Sequence, residues 1–111
     1  MASQINTFKT VTANVTTQNS VVYTTPAGIT AIILMAQCTN ITPNNHTVSF
    51  SHISSLGNKT ELIKDYHVLK NDAVGLLTGK LIVEQNNSVE IAGSSNNSLK
   101  LTMSVLESTN A

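Results

Sequence analysis

Arginine and tryptophan are absent from this 111-residue chain, cysteine occurs once, and charged residues make up only 11% of it. Each shortage removes a class of function. Without Arg there is no planar fork for phosphate or guanine. The six Lys are balanced by six acidic residues, leaving zero net charge, so no basic patch supplies the positive field that nucleic-acid binding needs. With one cysteine, Cys38, no intrachain disulfide can form, which fits a domain folded in a reducing compartment. Cys38 lies in the most apolar stretch and is expected to be a small buried hydrophobe. The longest apolar run, Ala31 to Ala36, is far too short to span a bilayer, and no basic amphipathic stretch suggests surface binding. The start of the chain, Met1-Ala2-Ser3-Gln4, has neither the basic nor the apolar region of a secretory signal. No membrane and no nucleic-acid partner is expected.

Catalytic and metal-binding patterns are missing too. His46, His52 and His67 lack the close spacing of a structural zinc motif or of His-Glu-x-x-His. There is no Gly-x-Ser-x-Gly around a nucleophile. The carboxylates Glu61, Asp65, Asp72, Glu84, Glu90 and Glu107 are scattered, whereas glycoside hydrolysis needs a paired acid and base in a cleft. Carbohydrate modules usually present exposed aromatic platforms. Here Tyr23 and Tyr66 are the only tyrosines, and both sit inside strand patterns where a core role is expected. Several Asn-x-Ser/Thr triplets occur, as they do by chance in a chain this rich in Asn and Thr. No catalytic, cofactor or metal residue is assigned, and the chain is read as a non-enzyme.

What the chain does have is alternation. Leu99, Leu101, Met103 and Val105 alternate with Lys100, Thr102 and Ser104. Successive strand side chains point to opposite faces, so this is a strand with one buried and one wet face. The pattern recurs in Val11–Thr16 and Val48–Ser51, with turn signals such as Thr25-Pro26-Ala27-Gly28 between the runs. The expected fold is all-β: an antiparallel β-sandwich, jelly-roll or Ig-like, of about eight strands. Ile29–Thr39 is expected to be a central strand covered on both faces. Thr60–Leu77 also has helical spacing, but the all-β context favours a strand to about Val68 followed by an irregular stretch near Ala73–Thr78. Lys80–Glu84 and Ser88–Ala92 are expected to form a hairpin through Gln85-Asn86-Asn87.

One domain is expected, with residues 1–19 as a polar N-terminal arm or edge strand and 20–111 as the sandwich. Ser, Thr and Asn make up about a third of the chain. A surface so weakly charged offers little self-repulsion, which suits close packing against neighbours. The arm, anchored only by Ile5, Phe8, Val11, Ala13 and Val15, can add to a neighbour's sheet edge by main-chain pairing, and its removal is expected to leave the domain folded. The candidate interface residues are Ile5, Phe8 and Val11 of this arm, Asn44, Asn45 and His46 in one loop, and Asn96 and Asn97 in another.

Tyr23-Thr24-Thr25-Pro26-Ala27-Gly28, running into Thr30-Ala31-Ile32-Ile33-Leu34 and ending at Thr39-Asn40, resembles small structural proteins of tailed bacteriophages. So do Leu77–Glu84 and the closing Ser104-Val105-Leu106-Glu107. The resemblance covers about Ser20 to Glu107 and rests on turns and strands. Those proteins often carry Gly-Asp in the turn after the Lys-Leu strand, where this chain has Asn86-Asn87. The resemblance implies a virion accessory role, decorating the capsid or forming part of a neck, tail or baseplate. It implies a location in the virion after synthesis in the host cytoplasm. The partners would be other copies of the chain and a larger virion scaffold protein, with a surface glycan as the alternative. No functional residue carries over.

Overall fold

The longest alternating stretches form the longest strands. β1 (Asn6–Asn14), β3 (Ile29–Asn40), β4 (His46–Ile53), β5 (Lys59–Val68) and β9 (Leu99–Thr109) frame the computed structural model, which describes residues 5–110. β2 (Ser20–Thr24), β6 (Ala73–Gly75), β7 (Leu81–Val83) and β8 (Ser88–Gly93) complete it. The described residues contain no helix, and hence none long and apolar enough to cross a membrane. The helical spacing in Thr60–Leu77 loses to cross-strand pairing: β5 runs to Val68 against β4, and only the short β6 follows it.

The antiparallel pairs nest inside one another. β4 pairs with β5, β3 with β6 and β7, β2 with β8, and β1 with β9. This is one long hairpin closed at the 54–58 turn. It is rolled so that β9 also meets β3 and β8 also meets β4. The result is a sheet β1-β9-β3-β6, with β7 also paired to β3, and a sheet β2-β8-β4-β5. That connectivity is a jelly roll, which decides between the two sandwich types the sequence left open. It also corrects the expected β7–β8 hairpin. The two strands lie in different sheets, and the Glu84–Asn87 turn carries the chain from one to the other.

β9 has the predicted alternation: Leu99, Leu101, Met103 and Val105 are buried and face Phe50, Val48, Val89 and Ile91 in one core cluster. β3 departs from expectation. It is covered on one face only, and Met35 is 40% exposed. A bulge between Ile33 and Met35 puts Leu34 out of register, so the inward set switches from Ala31 and Ile33 to Ala36 and Cys38. The consecutive apolar run therefore marks a change of phase rather than burial on both sides. Cys38 is fully buried, and burial pushes its thiol up to about 11, which removes thiolate reactivity at neutral pH.

Tyr66 corrects a third expectation. It sits on edge strand β5 next to a register break and is half exposed. Tyr23 does pack against the core.

Candidate assembly interface

The rolled hairpin gathers the β1–β2, β3–β4, β5–β6 and β8–β9 loops at one end. Asn40, buried at the end of β3, organises that end. Its Nδ2 donates to Asn44 O at 2.7 Å and Val68 O at 3.1 Å, while its Oδ1 accepts from Thr42 N and Thr42 Oγ1. All of its hydrogen-bonding capacity is used, as burial requires. The sequence shows Asn40 only as one Asn-x-Thr among several, so nothing in it marked this role.

Asn45 Oδ1 accepts from Lys70 N, Asn96 Oδ1 accepts from Thr17 N, and His46 Nδ1 lies 3.5 Å from Ser94 Oγ. Asn97 takes a left-handed turn conformation at φ 64°, which Asn tolerates better than most residues. Asn44, Asn45, His46, Asn96 and Asn97 thus form one polar rim, although the two loops are about fifty positions apart in sequence. Ile5 and Phe8 lie elsewhere. Ile5 is tied to Thr109 at the opposite end, and Phe8 stands on the outer face of β1, 74% exposed. Val11 points the other way and packs against the core, so its direct work is to hold β1 onto the sandwich. Of the predicted arm, residues 1–4 lie outside the described residues.

The sandwich has four flanks, and three are blunted. β2 is five residues long with a bulge between Val21 and Tyr23. β6 and β7 are three residues each. β5 has two register breaks, a left-handed Asp65 at φ 47°, and the charges Lys59, Glu61, Lys64 and Asp65. β1 pairs with β9 over nine residues in unbroken register. Its one charge, Lys9, turns inward to Glu107 at 3.1 Å. Short strands, bulges and outward charges are how edges resist pairing with other chains; β1 has none of these.

Glu107 is 8% exposed on the inward face of β9. The Tyr23 hydroxyl donates to its Oε2, and Lys9 pairs with its Oε1. The Tyr23 hydrogen bond, and then Lys9, hold the Glu107 carboxyl below its ordinary value against the opposing effect of burial. Tyr23 is held well above its own, first by burial and then by Glu107. The triad pins β1, β9 and β2 together at the end of the molecule away from the rim. Among the described residues, no group of three His, Cys, Asp or Glu side chains converges as a metal site.

No protein-family model and no curated protein sequence matches the chain. Solved structures do. One is described as Bacillus endospore appendages that form a novel family of disulfide-linked pili. It is 12% identical, with TM-score 0.60, over 98% of this chain and 90% of that one. A structure of the infectious bursal disease virus Gx strain is 7% identical with TM-score 0.54, and a VP2 subviral particle of infectious bursal disease virus is 9% identical with TM-score 0.52. These two matches cover 99% and 96% of this chain but only about a third of the viral chains, 34% and 33%. At such identities the likeness establishes the fold. This sequence has one cysteine, Cys38, and it is buried.

Proposed function

We propose that this chain is a non-enzymatic structural subunit of a tailed-bacteriophage particle. It is present in many copies and decorates or cements the capsid, or forms part of the neck, tail or baseplate. The observation that carries this reading is the contrast between three blunted flanks and the open β1 edge, which leaves one nine-residue row of main-chain groups for a neighbouring chain. The phage resemblance of residues 20–107 and the jelly-roll likeness to pilus and capsid structures support it. In this reading other copies and a larger virion scaffold protein are the partners. The edge and the polar rim of Asn44, Asn45, His46, Asn96 and Asn97 are the contact surfaces.

The deciding experiment is the copy number of the chain in purified virions, by quantitative mass spectrometry against the major capsid protein. A number proportional to capsid copies assigns decoration or cement. A small multiple of three, six or twelve assigns neck, tail or baseplate. Absence from particles overturns the reading.

A second reading is a glycan-binding module on the particle surface. It is favoured by a polar concavity of about 330 Å³ on the outer face of the β2-β8-β4-β5 sheet, lined by Ser49, Lys59, Glu61, Lys64 and Asp65 among others. Binding on a glycan array by the isolated chain would favour this reading over a pure scaffold.

A further inference from the structure

On β9 the even-numbered residues from Lys100 to Ser108 point away from the core, opposite the buried Leu99, Leu101, Met103, Val105 and Glu107. The register then fixes which residues share that outer face. Phe8 stands opposite Leu106, Leu106 opposite Ile32, and Ile32 opposite Ile82. One apolar rung therefore crosses the sheet from β1 through β9 and β3 to β7. Its ends are open to solvent, with Phe8 74% and Ile82 60% exposed. Met35, opposite Ser104, thickens it. The other rows of this face are Asn6–Ser108–Thr30, Thr10–Ser104, Thr12–Thr102–Gln37 and Asn14–Lys100–Thr39. Among all these paired positions Lys100 alone is charged. Apolar side chains directly across strands attract one another, but a lone apolar rung on a wet face keeps its area exposed to water, and that area is recovered only by covering it.

We propose that this rung is a docking surface for the same face of a second copy of the chain. The charge pattern selects the occupant. A nucleic acid, an acidic peptide or an anionic lipid surface would need a row of cations, and the face offers only Lys100 at its far margin and Lys80 in the groove beside Met35. A face with so few charges meets its own copy with little repulsion. The size is adequate as well. Four strand positions at about 4.8 Å spacing and about nine residues of length give on the order of 600 Å² in projection. With side-chain relief this approaches the roughly 800 Å² per partner of a stable interface. The inference rests on the assembly reading and specifies a contact within it. Packing on this face and pairing along β1 use different groups, so one subunit can make both.

The test is sedimentation equilibrium of the full chain, with Ile82→Thr and Phe8→Thr as rung variants and Leu56→Ser as the control. Both rung residues are exposed, and Thr keeps strand propensity, so the variants are expected to melt like the parent. Leu56 is 87% exposed in the β4–β5 turn, off the face. The expected result is a self-associating parent, an association weakened about tenfold or more by either rung variant, and no effect of Leu56→Ser. Parent-like association of both rung variants overturns the rung while leaving the assembly reading in place. A parent that stays monomeric at every concentration, including one that instead floats with neutral phosphatidylcholine vesicles, also overturns it; the virion copy number then decides the assembly reading independently.

Discussion

Glu107 is the only charged side chain that the fold buries among the described residues. An inward position on an alternating strand would ordinarily take an apolar side chain. Here the carboxylate is tolerated because Tyr23 and Lys9 both reach it. Its folded value lies below the ordinary carboxyl value of about 4.3. As pH falls, the unfolded chain therefore binds the proton first. The stabilisation is complete above that ordinary value and is lost as pH drops through the folded one. Glu107→Gln is expected to cost about 1–2 kcal/mol at neutral pH. The difference from the parent should close in acid, as read by urea unfolding at a series of pH values. Gly93 is constrained by space alone. A Cβ there would come within 2.9 Å of Val15 Cγ1 and 3.0 Å of Leu99 Cδ1, both fully buried side chains. Gly93→Ala is expected to lower stability by about 1–3 kcal/mol, seen as a lower urea midpoint with an unchanged slope.

At the scale of elements, β1 is an edge strand. Its polar outer face makes residues 1–19 read as an arm or an edge strand, and residues 6–14 form the flank of the chain's own sheet, with Val11 and Ala13 packed against the core. Removing residues 1–14 takes that cover from β9. The truncated chain is expected to melt on the order of 10 °C lower, from about 2 kcal/mol of lost burial, where a dispensable arm would leave the melting temperature unchanged. The open edge has its own signature. Alternate β1 amides, those turned away from β9, are expected to exchange within the dead time in the isolated chain and to be protected in the assembled particle. Equal exchange in both states would show that the edge is not a contact.

For the whole molecule, the rolling of one hairpin does two jobs. It brings the 41–46 and 94–98 loops together as a single rim, through His46 beside Ser94 and the Ile41 N–H donating to Ser98 O. It also leaves a single long edge open while the other flanks are short, bulged or charged. If that asymmetry directs assembly, growth proceeds from one flank and one face, and a subunit with four equivalent edges would aggregate instead.

Local pattern alone determined that the chain is all-β, where most strands lie, that Leu99, Leu101, Met103 and Val105 share a buried face, and that Cys38 is buried, because a side-chain period of two is a property of each strand by itself. Other features were decided only in the tertiary structure. The bulge at Leu34 depends on the register of β3 against β9, and the exposure of Tyr66 on β5 lying at an edge. The separation of β7 from β8 depends on which sheet each strand joins. The meeting of the two loops and the Phe8–Leu106–Ile32–Ile82 rung depend on strands far apart in the chain becoming neighbours. Apart from β4 and β5, which the 54–58 turn joins, paired strands lie far apart in the chain, and no short window of sequence contains both members of a pair.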